Sequence, residues 1–357
     1  MDTSKAGYFR RVHAETPTEF WINNATLAEA EAAMAAGALC ATTNPTYLAR
    51  LLVGEPGYIA DLIDDGLRKT DDIEKVVDGV HQRAVARLQK LFLPLFESSG
   101  GKHGLVAIQG DPRRNTDRDA ILDGALRYRE LGENIIIKVP SWPAGAAALE
   151  KLVEMGIPTI ATLGFSVDQA VYIAEAYRRA LKGSRTRPLC YVTFIAGVLE
   201  TFLAESAERQ HLPQSRELIR QGVCEASRSA YRIFKSRGYE AILLGGGARG
   251  PHHFTDLVGG QMAITIGWSI ARQIIASDAP VVSKIDEEIP RQVIAELETH
   301  LPDFREAYQL KAMSPEEFHD FRPVASFQET FLQGTKTLLN AISTRMNSGA
   351  LKKGEEP

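Results

Sequence analysis

The stretch Asn134-Ile135-Ile136-Ile137-Lys138-Val139-Pro140 puts a primary amine at the end of an apolar, β-branched run. Three isoleucines read as the core of a buried strand. Pro140 lacks an N–H and is expected to end the ladder just beyond the lysine. Desolvation at such a place lowers an ammonium's pKa by as much as several units. A neutral lysine amine near pH 7 is the nucleophile that forms Schiff bases with carbonyl compounds. The competing reading is a lysine whose ammonium snorkels out to water. This stretch alone leaves both readings open.

The elements that would position Lys138 follow from the alternation along the chain. Strands are expected at Phe20–Asn23, Ala38–Thr42, Leu105–Gln109, Ile135–Lys138, Thr159–Leu163, Leu189–Phe194, Ala241–Leu244 and Met262–Ile266. Helical spacing between them includes Leu27–Ala36, Arg118–Leu131, Gly145–Met155, Ser166–Leu181, Ser215–Arg237 and Trp268–Ile275. Strand–helix alternation argues for parallel β with crossover helices. Eight strands over roughly 260 residues fit a closed (β/α)8 TIM barrel better than an open doubly wound sheet. Residues 56–99, after strand two, read as a helical insertion, with Asp71–Leu91 rich in charge and periodic in Val, Ala and Leu. We therefore divide the chain into a barrel over residues 1–280 and a helical extension over 281–357. The extension has helical spacing at Pro290–Leu301, Pro315–Phe321 and Phe327–Met346, and is expected to pack on the barrel or on a neighbouring subunit. The last residues, Lys352–Pro357, read as a frayed tail.

In such a barrel the reacting groups sit where strands end and βα loops begin. Those ends carry Asn23-Asn24, Thr42-Thr43-Asn44-Pro45, Gln109-Gly110-Asp111, Lys138, Thr162, Thr193, the run Gly245-Gly246-Gly247-Ala248-Arg249-Gly250, and Thr265 with Gly267 and Trp268. One lysine, one arginine and many neutral hydrogen-bonders suit a carbonyl or polyol substrate and an imine intermediate. The ring lacks the His/Asp/Glu cluster of a metal site. The glycine run satisfies GxGxxG, but it follows the seventh strand and no acid stands on the next one, so a dinucleotide fingerprint is excluded. A glycine-rich loop there is where barrels often cradle a phosphate on backbone N–H groups, and Arg249 could add a bidentate contact. The alternative is glycines that only permit close packing, with Arg249 in solvent. His252 and His253 could reach the same place or could simply start a helix, and Trp142 reads as a loop-packing residue.

Composition narrows the setting. The 357 residues are 44% hydrophobic and 24% charged with a net charge of −4, a globular balance with no general pull towards nucleic acid or anionic membrane. No apolar run is long enough to span a bilayer, and Met1–Lys5 does not read as a signal peptide. The three cysteines, Cys40, Cys190 and Cys224, form no CxxC pair; Cys40 and Cys190 lie in apolar strand-like runs and are expected as buried thiols, in a reduced, cytoplasmic protein.

These residues resemble the transaldolase family of class I aldolases. The resemblance runs through Thr42-Thr43-Asn44-Pro45, Ile136-Ile137-Lys138-Val139-Pro140, Gly156-Ile157-Pro158-Thr159 leading to Thr162, Phe165-Ser166 with Asp168-Gln169-Ala170, and the loop with Arg249. Leu301–Arg305 and Ser314–Phe318 resemble a longer branch of the family, not the short fructose-6-phosphate aldolases. The resemblance implies that Lys138 is the Schiff-base lysine, that Asn44 hydrogen-bonds donor hydroxyls with Thr43, Thr193 and Gly247 nearby, that Thr162 holds a proton-shuttling water, and that Arg249 binds the substrate phosphate. It implies no metal and no organic cofactor.

Several family positions differ. Asn23 stands where transaldolases carry an aspartate, and Gln109 where they carry a glutamate, although the related aldolases share that glutamine. Ile195, Val198 and Ile160 replace a tyrosine, a second phosphate-binding arginine and an asparagine. Catalytic work would then fall on Lys138, Thr162, Gln109 and Asn23, with Asp111, Tyr191 or a histidine as replacement acid–base groups. The expectation is a transaldolase-like enzyme that moves or releases a dihydroxyacetone unit. A Schiff-base lyase or decarboxylase on another carbonyl compound, or a degenerate barrel with a binding or regulatory role, remain alternatives. The partner is a sugar or sugar phosphate, not nucleic acid or membrane, and a homo-oligomer is left open.

Overall fold

The computed structural model describes residues 7–212 and 215–348. The alternation closes on itself as a parallel eight-stranded barrel. Its strands are β1 (Glu19–Asn23), β2 (Cys40–Thr42), β3 (Val106–Gln109), β4 (Ile135–Pro140), β5 (Thr159–Thr162), β6 (Cys190–Phe194), β7 (Ile242–Gly245) and β8 (Met262–Ile266). Each pairs with the next, and β8 returns to β1. Helix α1 (Tyr8–Glu15) precedes β1, and α2 (Leu27–Ala36) follows it. The insertion after β2 is three helices, α3 (Tyr47–Gly54), α4 (Pro56–Lys69) and α5 (Ile73–Ser98). The later crossovers are α6 (Arg118–Arg129), α7 (Pro143–Glu154), α8 (Val167–Ala180), α9 (Ala196–Arg209), α10 (Arg216–Ser236), α11 (His252–Thr255) and α12 (Trp268–Ser277). The extension holds α13 (Arg291–His300), α14 (Pro302–Tyr308) and α15 (Arg322–Asn347).

Local chemistry explains where the sequence reading succeeds and where it slips. Helix α2 opens on a Thr26/Glu29 capping box and stops at Gly37, which takes the left-handed conformation. Helix α9 escapes the sequence reading because Ile195 precedes it and offers no side-chain cap. Strand β4 does not end before Pro140, as the missing N–H suggests, but includes it. The ladder continues because the next N–H, of Ser141, donates to Thr162 O at 2.8 Å. Strand β5 ends one residue early, since Leu163 turns to φ +60. Met1–Lys5 and the tail Lys352–Pro357 lie outside the described residues.

Side chains alternate across a strand, and one parity fills the barrel. Trp21, Cys40, Leu105, Ala107, Ile136, Ile160, Tyr191, Leu244 and Ala263 form a buried cluster inside it, separate from the larger core between the sheet and the helices. All three cysteines are buried free thiols. Among the described residues no helix is long and apolar enough to cross a membrane.

The extension lies across loops at the C-terminal ends of the strands. Asp168, at the start of α8, accepts backbone N–H bonds from Lys311 (2.5 Å) and Met313 (2.9 Å). Trp142 meets His319 edge-on at 5.0 Å between ring centroids, and Phe165 meets Phe327 at 5.9 Å. Further along, Gly334 of α15 rests on the Pro45–Thr46 backbone after β2, and Arg345 pairs with Asp64 of α4. The helix thus bridges loops that follow β2 and β5.

Two glycines give a paired test of this packing. A Cβ on Gly145 would lie 1.9 Å from Pro140 O, directly behind the strand end that carries Lys138. A Cβ on Gly124, inside α6, would meet nothing closer than 3.8 Å. Gly145→Ala should destabilise by more than about 2 kcal/mol through overpacking, whereas Gly124→Ala should stabilise by up to ~1 kcal/mol through helix propensity. Urea titrations showing the same sign for both would contradict the packing described here.

Candidate active site

The inward parity carries one layer beyond the apolar plug. Two residues on from Trp21, Cys40, Ala107, Ile136, Ile160, Tyr191, Leu244 and Ala263 come Asn23, Thr42, Gln109, Lys138, Thr162, Thr193, Gly246 and Thr265. Gly246 belongs to this ring, since a Cβ there would sit 2.9 Å from Thr193 Cγ2. The structure therefore gathers Asn23, Gln109, Lys138, Thr162 and Thr193 at one level of the barrel mouth.

Lys138 Nζ donates to the carbonyl oxygen of Thr43 at 3.0 Å. Burial lowers its pKa to about 7, and burial is the sole cause. A substantial fraction of the amine is thus uncharged near neutrality. Beside it, in register across β3 and β4, stands Gln109. Gln109 is 2% exposed, and neither its Oε1 nor its Nε2 has a hydrogen-bond partner. Thr193 Oγ1 and Ser141 Oγ are likewise buried and unpartnered. Leaving a buried polar group unpaired costs about 1–3 kcal/mol, so the unpartnered Gln109 amide beside the amine marks a place that a polar ligand completes.

The amide at position 23 is oriented by neighbours. Thr42 Oγ1 donates to Asn23 Oδ1 at 3.0 Å and lies 2.7 Å from Thr265 Oγ1. Having one proton, Thr42 gives it to the Asn23 oxygen and must accept from Thr265, so the Asn23 NH2 takes no part in this chain. Asn44 is arranged in the same way. Its Oδ1 accepts from Asn24 Nδ2 (3.0 Å), Thr46 N (2.9 Å) and Thr46 Oγ1 (2.7 Å). Asn24 makes this possible by adopting φ +47, which asparagine tolerates.

Thr43, expected among the substrate contacts, has the outward parity. Its hydroxyl is fully buried and donates to Ala107 O at 2.7 Å, so what it offers the site is its carbonyl. Gly247 and Arg249 lie beyond the ring in the β7–α11 loop. Gly247 has φ +66, and a Cβ there would meet Ile195 and Val198. Val198, aligned with the family's second arginine, thus packs on the loop. Arg249 is exposed, with Nη1 3.3 Å from the carbonyls of Gly247 and Ala248.

The replacement acid–base groups fare unevenly. Asp111 is held in a salt bridge with Arg113 at 2.7 Å. Tyr191 lies one layer below the ring, and burial pushes its hydroxyl pKa far up. His252 and His253 turn to Glu200 of α9, at 2.9 and 3.2 Å from Oε2. Burial raises the Glu200 pKa, but hydrogen bonds from the two histidines outweigh it and hold the carboxyl at about 2. The ligand atoms of these three residues lie within 4.8 Å of one another, a set able to hold a metal ion. The sequence reading finds no such cluster, because Glu200 sits on a helix it does not find. Thr42 and Asn24, named at the strand ends but given no role, orient the amides of Asn23 and Asn44.

A cavity of about 710 Å³ is lined by Lys138 and Gln109 and reaches outward over β3 and β4. Asp78 and His81 of α5, Tyr128 of α6, Arg113, and Leu338 of α15 form its far walls. Burial lowers the His81 pKa to about 4, so that imidazole is neutral. Of the expected site residues only Lys138 and Gln109 are among its walls; Asn23, Thr43, Asn44, Thr162, Thr193, Gly247 and Arg249 are not.

Comparison with known proteins agrees with this geometry. The profile of the Transaldolase/Fructose-6-phosphate aldolase family matches residues 20–321. A transaldolase of Thiobacillus denitrificans is 35% identical over 143 residues, which is 39% of this chain and 39% of that protein. The chain is thus matched over well under half of that relative's length. A transaldolase of Fusarium oxysporum is 26% identical over 275 residues, covering 74% of this chain and 77% of its own. Among solved structures, 2,3-dimethylmalate lyase aligns over 91% of this chain and 96% of its own at 11% identity, with a TM-score of 0.29, too loose a superposition to bear on fold or function. A profile that runs from β1 into the extension, over a barrel whose fourth strand carries Lys138, settles the kinship: the chain belongs to the transaldolase/fructose-6-phosphate aldolase family.

Proposed function

We propose that this protein is a class I aldolase-type enzyme of sugar metabolism, which forms a Schiff base through Lys138 and transfers or releases a dihydroxyacetone unit. The observation that carries this reading is an amine brought to a pKa of about 7 by burial, in a ring of neutral hydrogen-bonders of which Gln109 and Thr193 are unpartnered. The neutral amine attacks the ketone of a ketose, and loss of water leaves an iminium ion. The C3–C4 bond then breaks, its electron pair moving towards the iminium nitrogen to give an enamine. The C4 hydroxyl gives up its proton as the aldehyde departs. The enamine adds to an aldose acceptor, or is protonated and hydrolysed.

Asn44 and Gln109 orient donor hydroxyls, Thr162 holds the water that shuttles protons, and Arg249 meets the substrate's phosphate. Asn23 and Gln109 cannot titrate, and general acid–base help is typically worth ~10²–10⁴-fold, so proton transfer limits the rate. We place the reaction with those of the pentose phosphate pathway, in the cytoplasm. One observation favours a second reading, a Schiff-base lyase or aldolase on a different carbonyl compound. The cavity at Lys138 extends towards α5 and α6, not towards Arg249, and leaves room for a larger substrate.

Borohydride with fructose 6-phosphate or dihydroxyacetone should trap an adduct on the wild type, found by intact mass and mapped to Lys138. Lys138→Ala and Lys138→Arg should give none, since a guanidinium cannot deprotonate to attack a carbonyl. Trapping should rise with pH through about 7 and level above it. An adduct on another lysine would overturn the assignment.

The same burial predicts a stability signature. The folded pKa of about 7 lies below the unfolded value, so the unfolded chain binds an extra proton between about pH 7 and 10.5. Stability from this group therefore rises with pH across that window, and the cost of the buried amine is fully felt below it. Lys138→Met should raise the Tm at pH 6–7, with the gain shrinking as pH approaches 10. A gain independent of pH would mean that lost charge is not its cause.

Restoring carboxylates gives a third test. Asn23→Asp with Gln109→Glu should raise the rate of donor cleavage and change its pH profile. Lower activity of the double variant on every ketose tried would mean that the native amides serve another reaction.

A further inference from the structure

The β7–α11 loop that presents Arg249 is clamped from behind by helix α9. At the start of α9, Gly197 lets the loop approach: a Cβ there would lie 2.4 Å from Gly247 O and 2.8 Å from Arg249 N. One turn further along α9, Glu200 reaches beneath α11, where its Oε2 lies 2.9 Å from His252 Nε2 and 3.2 Å from His253 Nε2. His253 is 2% exposed, and its Nδ1 accepts the backbone N–H of Arg249 at 3.4 Å. The imidazole therefore stands between the α9 carboxylate and the amide of Arg249 itself, bonded to the amide, while its buried Nε2 lies close to the carboxylate without hydrogen-bond geometry.

We propose that Glu200 and His253 are positioning residues for a phosphate site, holding the Arg249 backbone so that its guanidinium and the neighbouring loop N–H groups meet a phosphoryl group. This rests on the reading of Arg249 as the phosphate contact. The orientation of His253 follows from its neighbours. Because Nδ1 faces a donor, the ring proton sits on Nε2, on the side of the carboxylate. That arrangement also separates the array from a metal centre. A metal-ligating histidine turns its other nitrogen, as an N–H, towards an acceptor, whereas here that nitrogen meets an amide N–H. The two rings also lie 4.0 Å apart at 40°, half-stacked over one oxygen. His252, partly exposed, completes the array by bonding the same carboxylate oxygen.

With Val198 in place of a second arginine, the site depends on one guanidinium, so its placement matters more than it would with two. Losing the bridge should weaken phosphate binding without touching the chemistry at Lys138.

The test is isothermal titration of the full chain with fructose 6-phosphate and with inorganic phosphate. It uses the wild type, Arg249→Ala, His253→Ala, His253→Asn and Glu200→Gln, with steady-state kinetics on the ketose. Arg249→Ala should weaken phosphate binding about tenfold or more, the loss of a charged hydrogen bond. His253→Ala should weaken it by about as much, with KM rising and kcat falling less than threefold. His253→Asn, whose Oδ1 replaces the Nδ1 acceptor, should recover most of the loss, which a generally loosened fold would not do. Glu200→Gln, at a partly exposed position, keeps the acceptor but not the charge and should fall between. If Arg249→Ala loses binding while His253→Ala does not, or if His253→Asn is no better than His253→Ala, the positioning role is overturned. If Arg249→Ala binds phosphate as tightly as the wild type, or the wild type shows no phosphate preference, the reading of Arg249 fails, and the positioning role fails with it. A parallel titration with ZnCl₂ that finds one tightly held equivalent, lost in His253→Ala, would make the three residues a metal site and overturn the proposal.

Discussion

A half-buried lysine amine without a counter-charge is the constraint on which the rest of this molecule depends. Burial alone brings Lys138 to a pKa of about 7, and an opposite charge nearby would reverse that by favouring the ammonium. The barrel meets the requirement by stacking an apolar plug beneath the amine and surrounding it with amides, hydroxyls and a backbone carbonyl. Neutral neighbours leave the amine uncharged. They are also poor proton carriers, so in the proposed reaction the environment that favours attack on a carbonyl slows the steps that need acid or base.

Asn23 shows how tightly this is arranged. The Thr265–Thr42 hydroxyl pair turns its amide oxygen away and leaves an NH2 where the family's pattern has a carboxylate. A donor has replaced an acceptor, which changes both proton traffic and which substrate group can sit there. Gln109, with no partner of its own, is free to match either a hydroxyl or a carbonyl. Together they give a site tuned by hydrogen-bond direction more than by charge.

The extension changes the mouth of the barrel. By tying together the loops after β2, β4 and β5, it fixes the Asn44–Pro45–Thr46 turn against α15 and supplies Leu338 to the cavity wall. Loops at a barrel mouth are mobile unless something orders them. Here the Asp168 cap on residues 311–313 and the Arg345–Asp64 pair do so. Order on this side leaves the cavity to run outward between α5 and α6.

Much of the fold was legible in the sequence because its signals are local. β-branched runs, helix caps and turn glycines place each strand within a residue or two, and the count of eight implies closure. The end of β4 was misread because a proline's missing N–H matters only if a partner carbonyl needs it, and pairing decides that. Helix α9 was missed because it starts without a polar cap. The gathering of Lys138, Gln109, Thr162 and Thr193 at the barrel mouth was legible, since each lies near the end of an apolar strand on a predictable parity. The parity of Thr43, the unpartnered state of Gln109 and the saturation of Asn44 Oδ1 were not, because they depend on which neighbours fold against them. Least legible of all was the link from Glu200 to Arg249. Their side chains come from helices and loops about fifty positions apart, and only closure of the barrel brings α9 behind the β7 loop. The sequence by itself determined the barrel, the lysine and the neutral ring. Tertiary structure alone decided how deeply the amine is desolvated, which way each amide faces and where the cavity leads, because all three depend on contacts between residues remote in the chain.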